Sequence, residues 1–364
     1  MNVRTRAATW ALGLTALLAL VVVVSAGIGH VSIPPRTVAL VLLDALPVPV
    51  GVSLSGATAL PIVGSVPLPS VDFVSPFSTS VPRTAQVIVV SVRLPRIVLA
   101  ALVGFALATA GVVMQGFFRN PMADPSIIGV SSGAAVGAVA TIALSLSLPF
   151  GLHGAAFASA IVTAFVVYML GTQDGRTPVA TLLLAGVAVQ TFLGAVISFL
   201  LLQSGESLRQ VVFWLMGHLS GATWDEVVML TLVLPLPFAV LLAHTRDLNV
   251  LLLGEEDAHA LGIEVERTKQ LLLATASIVT AAAVAVSGVI GFVGLVVPHM
   301  LRLVVGPDHR LLLPTSALAG ASFLVLTDTI ARSGVAEIPV GVVTAALGAP
   351  FFLYLLRTRE VRSP

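Results

Sequence analysis

The chain has 364 residues, 57% of them apolar and 10% charged, with a formal net charge of +1 and a mean hydropathy of +1.06. Soluble domains carry about 25% charged residues, so this chain lacks the charge to cover a water-facing globule, and lipid must be the solvent for much of it. It has no cysteine, which excludes disulfides, thiolate metal sites and iron–sulfur ligation. No basic run points to nucleic acid, and no Gly-rich phosphate loop is present.

One membrane span takes about 20 apolar residues. The first apolar run, Ala7 to about Gly29, follows Arg4 and Arg6. It is longer than the roughly 7–15-residue core of a signal peptide and lacks a small-x-small cleavage site, so it reads as a spanning helix with its arginines inside. Further runs follow at 86–114, 130–149, 155–170, 179–202, 225–245, 270–288, 290–305, 313–331 and 339–356. The expectation is an all-α membrane protein of about ten transmembrane helices in one domain, 1–364, with both termini cytoplasmic. Inside segments then hold twelve Arg and Lys residues, including Arg362, and outside segments six, the bias the positive-inside rule demands. The runs Gly104–Gly111 and Ser316–Ser322 are rich in small residues, which let embedded helices approach closely.

Two loops stand out. The segment 31–84, outside, holds nine prolines and four charged residues. Thr37–Leu43 within it reads as a helix on the membrane surface, and the rest as an irregular, proline-stiffened insertion. The segment 246–269, inside, is the charged one. Glu255, Glu256 and Asp257 suit the first turn of a helix, where the dipole favours acids, and Gly262 suits its stop. A short helix, a turn and a second short helix are predicted, as a solvated loop or as a dock for a cytoplasmic partner.

Chemistry-bearing patterns are few. Gly129-Val-Ser131-Ser-Gly133 fits G-x-S-x-G, but that motif needs a preceding strand and His and acid partners; here it opens an Ala/Gly-rich span. The seven histidines show no metal-ligand spacing. No charged residue sits clearly at the centre of a span, whereas ion-coupled transporters need such groups near the midplane; energy must then enter from elsewhere. Arg93 and Arg96 near one span end, and Arg332 near another, are either snorkelling side chains or a dock for an acidic partner, since the arginine fork pairs bidentately with carboxylates.

Four stretches carry a resemblance when taken together in order. They are Arg93-Leu-Pro-Arg96 with Gly111-Val-Val-Met-Gln-Gly-Phe-Phe-Arg-Asn-Pro-Met-Ala-Asp-Pro125; Leu253-Gly-Glu-Glu256 through Ala260-Leu-Gly262; Gly291-Phe-Val-Gly-Leu-Val-Val-Pro-His-Met-Leu-Arg302; and Glu337-Ile-Pro-Val-Gly-Val-Val-Thr344 through Gly348-Ala-Pro-Phe-Phe352. From about Val87 to Arg359 the chain resembles the permease subunits of ATP-binding cassette importers for iron–siderophore complexes, haem and cobalamin. The resemblance implies a second permease subunit, two ATP-binding subunits and an extracytoplasmic substrate-binding protein, in the cytoplasmic membrane of a bacterium. It implies no cofactor on this chain, the ATP and Mg being used by the partners, and no enzymatic activity of its own.

The residues implied to dock the ATPase are Gly254, Glu255, Glu256, Ala258, Leu261 and Gly262. Those implied to meet the binding protein are Arg93, Arg96 and Arg332. Asn120, Pro121, Asp124, Pro125, Pro298, His299, Glu337 and Pro339 match motif loops. By the same resemblance a pathway runs along the axis of the permease pair, walled by 179–202, 339–356 and Leu208–Leu215. A ferric siderophore is the expected cargo, with haem and cobalamin open, moved by alternating access. The rival readings are an ion-coupled secondary transporter or channel, and an intramembrane hydrolase built on Ser131.

Overall fold

The computed structural model describes residues 3–29, 31–44, 48–60, 64–74, 81–334 and 336–360. Helix α1 spans Val3–Gly27 and α2 Pro35–Asp44; strands β1 (Val48–Leu60) and β2 (Gly64–Val74) follow. Helix α3 (Arg83–Val87) passes through a π-helical stretch, Ile88–Arg93, into α4 (Leu94–Phe117). A 3₁₀ turn at Pro125–Ile128 leads to α5 (Val130–Ala143), then α6 (Gly151–Gly171) and α7 (Val179–Gln203). The short α8 (Leu208–Leu215) precedes α9 (Trp224–Val233) and α10 (Pro235–Ala243), one span broken at Pro235. Helices α11 (Thr245–Leu251) and α12 (Glu255–Ala260) lie in the charged loop; α13 (Val265–Ser287), α14 (Val293–Val305), α15 (His309–Ala331) and α16 (Val340–Glu360) complete the chain.

Seven helices among the described residues are long and apolar enough to cross a membrane: Thr5–Gly27, Arg83–Phe117, Gly151–Gly171, Val179–Gln203, Trp224–Ala243, Val265–Ser287 and His309–Ala331. Three shorter apolar helices, Val130–Ala143, Val293–Val305 and Val340–Tyr354, fall on the remaining runs read from the sequence. The third run, expected to reach 149, ends at Ala143; Ser145 turns left-handed and Pro149 follows, so the helix has no route onward.

The layering follows from side-chain size. In α4, 78% of the apolar window is buried inside the chain, and in α13 and α15 72%; in α1 and α7 only 11% is. The inner helices are those rich in small residues. A Cβ on Gly104 would sit 2.2 Å from the Gly320 carbonyl oxygen, and one on Gly111 1.9 Å from that of Gly294. Backbone therefore packs on backbone between α4 and α15 and between α4 and α14, the close approach that stabilises helices in lipid by dispersion rather than by water exclusion.

Two expectations are corrected. The insertion is not irregular: α2 covers the Thr37–Leu43 run, and β1 and β2 pair antiparallel from Val48↔Val74 to Leu60↔Gly64, with register shifts at Pro49/Gly51 and Ser53/Gly56. Alternation such as Val48, Val50, Val52 and Leu54 carries the strand period, which the prolines obscured; proline is tolerated in such two-stranded edges and at bulges. Residues 45–47, 61–63 and 75–80 of that insertion, and Arg362, lie outside the described residues. The second correction concerns the charged loop. After α12 and a turn at Gly262 (φ 86°), the chain enters α13, which runs unbroken to Ser287, because no Gly or Pro interrupts 265–287. The pair of short helices in this loop is therefore α11 and α12, placed before the turn at Gly262 rather than on either side of it.

Candidate functional site

At one end of the bundle the three singled-out arginines converge on one another. Arg96 lies one turn beyond Arg93 on the continuous α3–α4 helix, and Arg332 caps α15 four residues after Asp328. Asp328 is 1% exposed. Arg96 binds it through Nε at 3.0 Å and Nη2 at 2.7 Å, and reaches Glu337 through Nη1 at 2.6 Å. Arg332 Nε lies 3.4 Å from the other oxygen of Asp328, while its Nη atoms donate to Ile28 O at 2.7 Å and to Ser25 O at 2.5 Å. Arg93 donates to Ala26 O at 2.6 Å and to Val31 O.

This is a correction to the outward-facing arrangement expected for these arginines. Arg93 and Arg332 are buried, and the fork of Arg96 is occupied by two carboxylates of the same chain. Arg93 and Arg332 satisfy the carbonyls that α1 leaves open at its C-terminal end, so they fasten α1 to α4 and α15. Glu337 is the partly exposed member, at 34% of its side chain. It sits on the segment leading to α16, whose first turn is joined to the turn after α8 by Gly341 N to Gly217 O, 3.2 Å. Pro339 precedes that turn, where its missing N–H costs nothing.

At the opposite end lies α12. Its first turn carries Glu255, Glu256 and Asp257, as the sequence suggested. Gly254 (φ 128°) and Gly262 (φ 86°) bracket it in backbone conformations that side chains resist. Ala258 is fully buried, so it anchors the helix rather than meeting a partner, whereas Leu253 and Leu261 are 63% and 64% exposed. Glu255 is turned inward to Lys269, at 3.2 Å. Lys269 also binds Glu266 at 3.0 Å and Thr177 O at 2.5 Å, and Glu266 accepts from Thr177 N at 3.0 Å. A single buried lysine thus ties α12, α13 and the α6–α7 connection together. Its signal in the sequence was the Glu266–Lys269 spacing of three in a span's first turns, which composition alone did not single out. A neighbouring junction joins α11 to α15: Asn249 donates to Asp308 at 2.8 Å and accepts from His309 N at 2.9 Å.

The motif loops are packing devices. Pro125 lies against Gly294, and Gln115 donates to Leu295 O at 3.0 Å, so the loop after α4 seats on the start of α14. Asn120 accepts from Met122 N at 2.9 Å, closing the turn that contains Pro121. Asp124 caps the 3₁₀ turn, accepting from Ser126 N at 2.9 Å and Oγ at 2.6 Å; burial pushes its carboxyl up, against those two bonds. Pro298 lies inside α14, and His299 is buried beside it, lining a small cavity with Met122, Leu295, Phe351 and Phe352, where three of the four motif stretches meet. Gly133 faces Thr163 and Ser159 of α6, so G-x-S-x-G here is a helix contact preceded by a 3₁₀ turn, not the strand-borne nucleophile of a hydrolase. Of the expected pathway walls, the turn after α8 meets the start of α16 through Gly217 and Gly341. Helix α7 packs on α5 and α6, with Leu184, Phe192, Phe199 and Leu202 exposed.

Comparison with known proteins accords with this architecture. The model of the FecCD transport family matches residues 17–358. The chain is 58% identical over 362 residues to the cobalamin import system permease protein of Halobacterium salinarum, covering 98% of each. It is 44% identical to the hemin transport system permease protein of Yersinia pestis, covering 81% of this chain and 90% of that one. A solved inward-facing structure described as a metal-chelate type ABC transporter superposes with a TM-score of 0.77 at 32% identity, covering 96% of this chain and 98% of the other. With the family matched almost end to end and the fold shared, this chain belongs to the FecCD transport family and is a multi-pass membrane permease of the ABC importer class.

Proposed function

We propose that this chain is the membrane half of an importer for a metal-chelate cargo of the cobalamin or haem kind, driven by separate ATP-binding subunits that use ATP and Mg. The end-to-end likeness to a permease named for cobalamin import carries the reading, and it favours a tetrapyrrole-type chelate over the ferric siderophore first expected. A second permease copy completes the pathway between exposed α7, α8 and α16 faces. An extracytoplasmic binding protein delivers cargo at the arginine end, where Glu337 is the accessible carboxylate and Arg96 the cation behind it. The ATPases dock on α12, and Lys269 passes their motion into α13 during alternating access.

The deciding experiment is uptake of radiolabelled cyanocobalamin, hemin and a ferric siderophore by cells with and without the chain. Uptake of cyanocobalamin that requires the chain and stops on ATP depletion supports the reading. Uptake that survives ATP depletion but collapses with the proton gradient would replace it with ion-coupled transport. Leu261→Asp tests the docking arm: its side chain is exposed, so the fold should persist while transport falls about tenfold or more, the effect of losing roughly 1.4 kcal/mol or more of contact.

A further inference from the structure

Helix α6 bears two apolar grooves, one against α7 and one against α13, and they differ chemically. The larger, about 590 Å³, lies against α7 and is lined by Ala158, Val162, Val166, Ala188, Phe192 and neighbours; its Thr163 hydroxyl is spent on Ser159 O. The smaller, about 330 Å³, lies against α13, with walls of Ile161, Phe165, Leu273, Ala274 and Ile278. This second groove ends in polar groups where α6 finishes and α13 begins, the same end of the bundle as α12. There Gln270 Nε2 donates to Tyr168 Oη at 2.8 Å, which leaves the phenol proton to donate outward.

One step further along the same stripe of α13 stands Arg267. Residues 267, 270, 274 and 278 follow one another at helical spacing on the open side of that helix. Arg267 is 81% exposed, and among the described residues it pairs with Glu264, itself 72% exposed, 3.3 Å from Nη1. Apolar walls, then a hydrogen-bonding pair, then a guanidinium, reproduce the order of groups along a lipid from acyl chain to phosphate. Both walls belong to helices long and apolar enough to cross a membrane, and an acyl chain matches their apolar lining.

We propose that the α6–α13 groove is a binding site for an anionic phospholipid, with an acyl chain between Phe165, Ala274 and Ile278 and the phosphate held by Tyr168, Gln270 and Arg267. The site stands apart from the expected cargo pathway and does not depend on what the importer carries. A lipid seated there bridges α6 to the first turns of α13, the segment held to α12 by Lys269.

The test uses the full chain, extracted with its accompanying subunits, delipidated, and titrated with phosphatidylglycerol or phosphatidylcholine, retention being read by native mass spectrometry. Wild type should retain phosphatidylglycerol in preference to phosphatidylcholine. Ala274→Phe, which fills the groove, should abolish retention, and Arg267→Ala should weaken it about tenfold, equivalent to about 1.4 kcal/mol. Ala188→Phe, in the neighbouring groove, should leave it unchanged. Undiminished retention in Ala274→Phe, equal loss in Ala188→Phe, or no preference between the two lipids overturns the proposal. Size-exclusion profiles matching wild type guard against a folding defect, and in a variant that fails them the Gln270→Leu substitution takes its place.

Discussion

The two ends of the bundle are fastened by the same chemistry in opposite proportions. At the arginine end, three cations meet two carboxylates, and the surplus guanidinium donors satisfy carbonyls at the end of α1. At the α12 end, one cation meets two carboxylates, and the surplus acid is left facing solvent as Glu256 and Asp257. The first arrangement is closed around Asp328, which is 1% exposed, with Glu337, at 34%, its solvent-reaching member. The second is open on its acid side: Lys269 is buried, but its carboxylates Glu255 and Glu266 are 40% and 28% exposed, so neither acid is buried. A buried ion pair is a weak source of net stability but a costly thing to break, whereas a partly hydrated one yields at small cost. The arginine end is therefore built to hold one geometry and the α12 end to give way under load.

The sharpest way to break this contrast is Asp328→Asn. It leaves Arg96 and Arg332 without their shared counter-charge in a closed site, and the expected loss is about 3–5 kcal/mol, read as a lowered unfolding temperature in detergent. Adding Arg332→Gln should recover part of that loss, because the orphaned charge goes with it. An unchanged unfolding temperature for Asp328→Asn would mean that water reaches the node and that the closed description is wrong.

Lys269→Met probes the other end. The two carboxylates it abandons can rehydrate, so the loss should be about 1–2 kcal/mol after solvent screening. The more telling readout is coupling. Were α12 held to α13 chiefly by Ala258 packing, transport per ATP hydrolysed would stay at the wild-type ratio; if Lys269 carries the motion, that ratio falls.

How much of this was legible beforehand divides along physical lines. The span positions were readable because lipid imposes a single composition on every embedded helix, and α12 because Gly254, the acidic first turn and Gly262 punctuate it. The small-residue runs announced the Gly104–Gly320 approach, since little else drives helices together in lipid. The hairpin was missed because proline content masked its alternation. The arginine node was misjudged for a different reason. The sequence shows that Arg93, Arg96 and Arg332 lie near span ends but not that Asp328, Glu337 and the carbonyls of α1 share that volume. Pairing across 232 positions, as between Arg96 and Asp328, has no local signal. Lys269 had a local signal in its spacing of three from Glu266, but its burial and its bond to Thr177 O, 92 positions away, only the fold reveals.

The smallest expected effect distinguishes the α12 end from the arginine end by pH. Asp308, in the loop before α15, is the one carboxyl near α12 with a strongly lowered pKa among the described residues. The Arg310 guanidinium beside it, bound at 2.7 Å, holds it down to about 2 from 3.8, against its partial burial and helped by Asn249. A carboxyl whose folded pKa lies below its unfolded one contributes its full stability above the unfolded value and loses it as pH falls through the folded value. The unfolding temperatures of wild type and Asp308→Asn should therefore differ by a constant amount above about pH 4–5 and converge as the pH drops towards 2. The gap at neutral pH should be modest, because Arg310 is well exposed and solvent screens the pair. Two curves that stay parallel down to pH 2 would show that Asp308 acts only as a hydrogen-bond acceptor for Asn249, a role asparagine can share. The α11–α15 junction would then owe nothing to charge, and the electrostatic fastening at this end would fall to Lys269 alone.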